Sequence, residues 1–155
     1  QPIGRVVFQL ADEDCPKTVS NFLRLCKGEG PRKLGYKGTI IHHINADMHV
    51  MGGDVEMKAG KGGHSSFEER FFPDESFAIP HTEEGILSMA SVGVDTNSSQ
   101  FYVTLKPAPH LNGRCVAFGR VEQGKDVLQQ VAKVFTMRGR PAQKIEIQDC
   151  GVLEN

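Results

Sequence analysis

Three histidines fall within the sixteen residues TIIHHINADMHVMGGD at positions 39–54. They are His42, His43 and His49. An imidazole can donate or accept a hydrogen bond, transfer a proton or bind a metal ion. Its ordinary pKa of about 6.5 leaves it mostly neutral at neutral pH. The same stretch ends in Gly52-Gly53-Asp54, residue types that are typical of turns. The segment therefore combines a strand-and-turn pattern with side chains that can do chemistry.

The cysteines offer little additional chemistry. The four of them, at positions 15, 26, 115 and 150, are widely spaced and form no CxxC pair. Zinc knuckles and thiol redox motifs need such pairs, so the sequence predicts neither of them. Reduced thiols in a reducing compartment are the expected state.

Length and charge limit the classes of function. At 155 residues the chain suits a single domain, 1–155, with one core. Its 18 basic and 19 acidic side chains give a formal charge of -1, which favours neither nucleic acid nor an anionic membrane as a partner. The least polar window, residues 85–94, is far shorter than the roughly 20 residues of a membrane span.

The first residues, QPIGRVVFQL, contain neither a charged leader nor an apolar signal core. We therefore expect a cytoplasmic location. Gln1 is an unusual first residue, so an upstream targeting segment can be absent from this chain.

Hydrophobic periodicity predicts the elements that position these side chains. RVVFQL (5–10) alternates as a strand does, and DCPKTVSNFLRLCKGEG (14–30) has helical spacing, with Pro16 at its first helical position and Gly28 as a stop. GKDVLQQVAKV (124–134) predicts a second helix, and KIEIQDCGVLE (144–154) a final strand. Short apolar runs at 39–44, 48–51, 86–90, 100–105 and 115–121 predict further strands. Two helices and about seven strands favour a β-barrel closed at its ends by helices.

A family resemblance extends over almost the whole chain. It is carried, in order, by GRVVFQL, PKTVSNFLRLCKGE, GYKGT, GGD (52–54), AGKGGHS (59–65), EERFFPDESF (68–77), HTEEGILSMAS (81–91), TNSSQFYV (96–103), LNGRCVAFGRV (111–121) and IEIQDCGVL. In these motifs the chain resembles the cyclophilins. The resemblance implies a mainly β fold, an eight-stranded antiparallel cyclophilin-like β-barrel capped by two α-helices, with its first strand upstream of residue 1. It also implies a groove for proline peptides on the outer surface.

The implied activity is peptidyl-prolyl cis-trans isomerisation, in which no bond is made or broken. The amide barrier of about 18–20 kcal/mol is lowered when a cationic donor approaches the prolyl nitrogen. In the family that donor is the arginine of FHRI, whereas this chain has Ile41-His42-His43-Ile44. Because arginine is permanently charged and imidazole is not, the resemblance implies weak activity, with His43 as the catalytic residue and no cofactor.

Most other groove positions also differ from the family. The substrate-binding positions that the resemblance implies are Met48 (for phenylalanine), His49 (methionine), Met51 (glutamine), Ala90, Ser91 (asparagine), Gln100, Tyr102 (phenylalanine), His110 (tryptophan), Leu111 and Cys115 (histidine). Ala90, Gln100 and Leu111 keep the family residue. Because His110 and His43 replace two residues on which the family's drug site depends, we expect weak binding of cyclosporin-like macrocycles.

Two alternatives stay open. The domain can be a non-catalytic proline-peptide-binding or scaffold module, because several groove residues are replaced together. A minor alternative is a metal site formed by His43, His49, His110 and Cys115, although their spacing matches no metal motif.

Other polar residues have plainer interpretations. His42 matches a family histidine and is expected to be structural, and Lys61 either selects acidic substrate positions or is simply solvated. The expected partners are proline-containing peptides or proteins, bound by a monomer.

Overall fold

The computed structural model describes residues 2–153, and within them it contains eight β-strands and two α-helices. The strands are β1 Val7–Leu10, β2 Ile41–Asn45, β3 His49–Gly52, β4 Ile86–Met89, β5 Phe101–Thr104, β6 Ala117–Gln123, β7 Thr136–Met137 and β8 Arg140–Pro141. The helices are α1 Pro16–Cys26 and α2 Lys125–Ala132, and short 3₁₀ helices lie at Pro31–Lys33 and Pro109–Leu111. Of the single domain predicted for 1–155, Gln1, Glu154 and Asn155 lie outside the described residues.

Six strands form an antiparallel sheet in the order β1-β6-β4-β5-β3-β2, and β7 pairs with β8 in a hairpin. A row of core side chains crosses this sheet in register. Ile44 lies opposite Val50, Val50 opposite Val103, and Val103 opposite Leu87. All four are buried in the main hydrophobic core. The mainly β antiparallel fold with two helices is the one that the sequence predicted.

Helix α1 covers one side of the core. It begins at Pro16, as predicted, and buries Val19, Phe22 and Leu25. The Phe22 ring lies between 5.1 and 5.8 Å, centroid to centroid, from the rings of Tyr36, Phe118 and Phe101. Within residues 2–153, neither helix has the length and apolar character that crossing a membrane requires.

Beyond β2, backbone hydrogen bonds join the sheet to the chain's last described segment. The amide of Ile44 donates to the Gly139 carbonyl (2.7 Å), and that of Ile41 to the Ile145 carbonyl (2.9 Å). The amide of Ile147 in turn donates to the Thr39 carbonyl (2.8 Å). The predicted C-terminal strand is therefore an extended segment with one isolated bridge, Ile40 to Glu146, rather than a regular strand. The β7–β8 hairpin was not predicted.

Candidate functional site

One face of the sheet carries several of the predicted groove residues. His43 on β2 lies opposite Met51 on β3, and Met51 lies opposite Tyr102 on β5. His49 precedes Met51 by two residues and so shares its face, because side chains alternate along a strand. Three neighbouring strands therefore place these four residues side by side.

The rings on this face contact one another in sequence. The centroids of the His43 and His49 rings are 6.0 Å apart, and those of His49 and Tyr102 are 4.5 Å apart. Tyr102 packs in turn against a small buried cluster of Ala108, Leu111 and Cys115. We call His43, His49, Tyr102, Ala108, Leu111 and Cys115 the groove cluster. Ala108 was not among the predicted residues, since its only signal is its position beside His110 and Leu111.

His49 is a neutral member of the groove cluster. Its side chain is 9% exposed, and burial, with smaller effects from the charges of His43 and His110, lowers its pKa to about 4. The ring therefore carries no charge at neutral pH. His49 cannot supply the cation that arginine supplies in the family.

His43 packs against the turn between β7 and β8. A Cβ atom at Gly139 would overlap Nε2 of the His43 ring, and Gly139 has a φ of +82°. Nδ1 of His43 is buried and has no hydrogen-bond partner within residues 2–153. A neutral ring with its proton on Nε2 avoids a buried, unpaired N–H at Nδ1, and Nε2 is the ring atom nearest the Gly139 turn. No sequence pattern indicated this contact, because residues 43 and 139 meet only through the long-range pairing of β2 with the hairpin.

His42 lies at an irregularity of β2. Ile41 pairs with Gly52 and His43 pairs with Met51, so no residue lies opposite His42. Its ring is buried against Gly60, where a Cβ atom would lie 2.6 Å from Cδ2. Burial lowers the pKa of His42, so this ring also favours the neutral form.

Gln100 is held by a loop that follows the GGD turn. Its side-chain amide donates to the carbonyl oxygens of Gly60 (2.9 Å) and Gly62 (2.6 Å). The buried Asp54 carboxylate orders the same loop, because it accepts the backbone N–H groups of residues 56, 58, 60 and 62 at 2.8–3.2 Å. Asp54 thus positions Gln100 indirectly, a role the sequence analysis missed. An aspartate followed by a glycine-rich loop was the available signal.

The remaining predicted residues border this region. Met48 ends the turn between β2 and β3, and its carbonyl accepts the Leu105 amide (2.8 Å). The Ala90 amide donates to the Gln100 carbonyl (3.0 Å), and the half-buried Ser91 follows. His110 is exposed on the 3₁₀ helix beside Leu111.

The metal alternative finds no matching arrangement in the described part of the chain. Between residues 2 and 153, no three or more His, Cys, Asp or Glu side chains are grouped so that they could hold a metal ion. The side chains of His43, His49, His110 and Cys115 therefore do not form such a set. Burial also raises the pKa of the Cys115 thiol, which disfavours the thiolate that a metal would need.

The site can bind a small apolar ring and donate one hydrogen bond beside it. Half-buried Tyr102 is the apolar ring of this face and packs against buried Ala108 and Leu111, and Nε2 of the half-buried His43 is a ring nitrogen that can donate. A site of this kind suits a ligand that needs position and polarisation rather than a nucleophile.

Comparison with known proteins identifies relatives over the full chain. A family model described as cyclophilin type peptidyl-prolyl cis-trans isomerase/CLD matches residues 1–152. A peptidyl-prolyl cis-trans isomerase of Encephalitozoon cuniculi is 45% identical over 155 residues, which are 99% of this chain and 88% of that protein. The NK-tumor recognition proteins of Mus musculus and Homo sapiens are 43% identical over 160 residues, which cover 99% of this chain but only 11% of theirs.

Proposed function

The chain belongs to the cyclophilin-type peptidyl-prolyl cis-trans isomerases, and we propose that it isomerises X-Pro bonds slowly, with His43 as its donor to the prolyl nitrogen. Enzymes of this family act on proline-containing peptides or proteins. The proposal concerns the rate and the residues. In the proposed complex, the proline ring rests on the apolar side chains around Tyr102, and Nε2 of His43 polarises the amide.

The observation that carries the proposal is the setting of the His43 ring. It lies on the shared face with His49 and Tyr102, and its Nδ1 is buried without a partner in the described chain. Only Nε2 is then left to donate, in place of the five donors of a guanidinium. His49 beside it is neutral and adds no charge. A single donor without a permanent charge stabilises the transition state less than a permanent cation does.

The test is an isomerisation assay on a proline peptide with the wild-type protein and two variants. His43→Arg should raise kcat/KM by about 10- to 100-fold, because it supplies a permanent charge at the prolyl nitrogen. His43→Gln, which donates but cannot become charged, is the matched control and should fall below the wild type. Wild-type activity at the buffer baseline, together with no gain in His43→Arg, would contradict the proposal.

The assay should also be run from about pH 8 to about pH 5.5. If an imidazolium is the active donor, the wild-type rate rises as the pH falls, while the rate of His43→Gln stays flat. Circular dichroism at each pH checks that the protein stays folded. A flat wild-type profile with measurable activity would assign donation to the neutral ring.

A second candidate is a domain that binds proline peptides without turning them over. It is favoured by the buried contacts of Tyr102 with Ala108, Leu111 and Cys115, which need no charge to hold a ring. In two-dimensional NMR, a peptide that shifts these residues saturably while its cis and trans signals show no exchange would support this candidate. Exchange between the signals would support the isomerase.

A further inference from the structure

Two arginines flank the glycine that contacts His43. Arg138 and Gly139 form the turn between β7 and β8 with φ values of +54° and +82°, and Arg140 follows as the first residue of β8. Neighbouring Cα atoms are about 3.8 Å apart, so both arginine side chains start within one residue of the contact with the His43 ring. An arginine side chain is long enough to cover this short distance.

The hairpin lies beside β2 rather than away from the groove. The hydrogen bonds from Ile44 to Gly139 and from Ile41 to Ile145 run antiparallel, which places Arg140 alongside the two histidines of β2. Its charge reaches His42, since Arg140 is a minor cause, after burial, of the lowered pKa of that residue. Both arginines are exposed.

Neither guanidinium has an acidic partner in the described chain. Between residues 2 and 153 neither Arg138 nor Arg140 forms a salt bridge with a carboxylate within 4.0 Å. The acids that precede β3 and follow β8 pair with lysines instead. Asp47 pairs with Lys106 (3.3 Å), and Glu146 pairs with Lys144 (3.4 Å). Two exposed positive charges thus lie on the hairpin beside β2, and no salt bridge within residues 2–153 compensates them.

We propose that Arg138 and Arg140 form an anion-binding subsite beside the groove, selecting proline peptides with an acidic side chain next to the proline. The inference rests on the proposed function, because it concerns the substrate of the same groove. Guanidinium groups bind carboxylates and phosphates through paired hydrogen bonds, so either anion fits. Since the site is exposed, a carboxylate should improve affinity by only about 3- to 10-fold, and a doubly charged phosphate by more.

The experiment measures peptide affinity by fluorescence anisotropy, a readout that does not depend on turnover. Three labelled peptides differ only in the residue after the proline, which is Gln, Glu or phosphoserine, and a second set places the same residues before the proline. The proteins are the wild type, Arg138→Gln/Arg140→Gln, and Arg120→Gln. Arg120 is the matched control, because it is also exposed but lies on β6, which three strands separate from β2.

In at least one peptide set the wild type should bind the Glu peptide about 3- to 10-fold more tightly than the Gln peptide, and this preference should shrink as salt is added. In Arg138→Gln/Arg140→Gln the two affinities should become equal, and Arg120→Gln should keep the wild-type preference. The phosphoserine peptide distinguishes a phosphate subsite from a carboxylate subsite by whether its gain exceeds that of Glu.

Equal affinity of the wild type for the Gln and Glu peptides in both sets would overturn the inference, as would a preference that survives in the double variant. Both results are independent of the isomerase assay. If the acidic peptides bind better through the two arginines but no peptide is turned over, the subsite stands and the isomerase proposal fails. If the Gln peptide is turned over without any acidic preference, the isomerase proposal stands and the anion-binding subsite fails.

Discussion

His49 illustrates what burial does to an imidazole in this groove. With a pKa near 4 it stays neutral in the folded protein, whereas an unfolded chain protonates it at about pH 6.5. The unfolded state therefore binds the extra proton between these values. Titration of His49 therefore leaves the free energy of unfolding unchanged above about pH 6.5. As the pH drops towards 4, it lowers this free energy by up to about 3 kcal/mol.

The prediction is that the free energy of unfolding decreases steeply from pH 7 to pH 5 and that His49→Met flattens the decrease. Urea denaturation at half-unit pH steps measures it. His64→Gln removes a half-buried imidazole elsewhere and should retain the slope that His49 causes. His42 and His81, whose pKa values burial also lowers, leave a residual slope in His49→Met. If the free energy of unfolding of His49→Met fell with pH as steeply as that of the wild type, a neutral His49 would be contradicted.

At the level of single residues, the sequence predicted which side chains share a face better than it predicted their contacts. The resemblance named His43, His49 and Tyr102, and the strand register brings them onto one face. The positions of the rings were not predictable, because they depend on contacts between distant segments. The contact of His43 with Gly139 joins residues that are far apart in sequence, and the role of Asp54 appears only when its loop is folded.

Among the elements, α1 and the β7–β8 hairpin show which local signals suffice. Helix α1 follows from apolar spacing together with Pro16, and its residues pack as that spacing requires. The hairpin has strands of two residues each, too short for alternation to be visible, and its turn uses Arg138-Gly139 instead of the usual Asn-Gly. The C-terminal alternation of Ile145 and Ile147 did predict extended chain, although only one bridge forms.

The hairpin turn should control the His43 ring, which leads to a prediction for Gly139→Ala. The added methyl group would overlap the ring, and the φ of +82° is strained for alanine, so we expect a loss of about 1–3 kcal/mol in stability. Because the displaced ring no longer aims Nε2, kcat/KM for a proline peptide should fall as well. Chemical denaturation and the isomerisation assay measure the two effects.

Gly28→Ala separates strain from overlap. Gly28 also has a positive φ, +73°, but a Cβ atom there meets nothing within 4 Å, so only the conformational cost applies. The double variant Gly139→Ala/His43→Ala tests the contact itself, since removing the ring should recover part of the stability that Gly139→Ala loses. Equal losses in the free energy of unfolding of Gly28→Ala and Gly139→Ala would mean that overlap with the His43 ring adds nothing to the cost of Gly139→Ala.

For the whole molecule, the segment from residue 139 to residue 147 supports both the fold and the groove. Its first part carries the turn against His43, and its last part pairs with residues 38–41, just before and at the start of β2. Ile145, Ile147 and Cys150 pack against the main core. The strand that bears the candidate catalytic residue is therefore held on one side by β3 and on the other by this segment.

A variant that ends at Lys144 tests this support. It loses the three backbone hydrogen bonds that Ile145 and Ile147 make with residues 38, 39 and 41, together with the packing of both side chains. Contributions of about 1 kcal/mol per hydrogen bond and about 1 kcal/mol per half-buried isoleucine predict a loss of roughly 3–6 kcal/mol. A variant that ends at Gly151 is the control, because Val152 and Leu153 are exposed. Urea unfolding of both variants should show the loss only in the shorter one, and an equal midpoint in the two would mean that residues 145–151 add nothing to the support of β2.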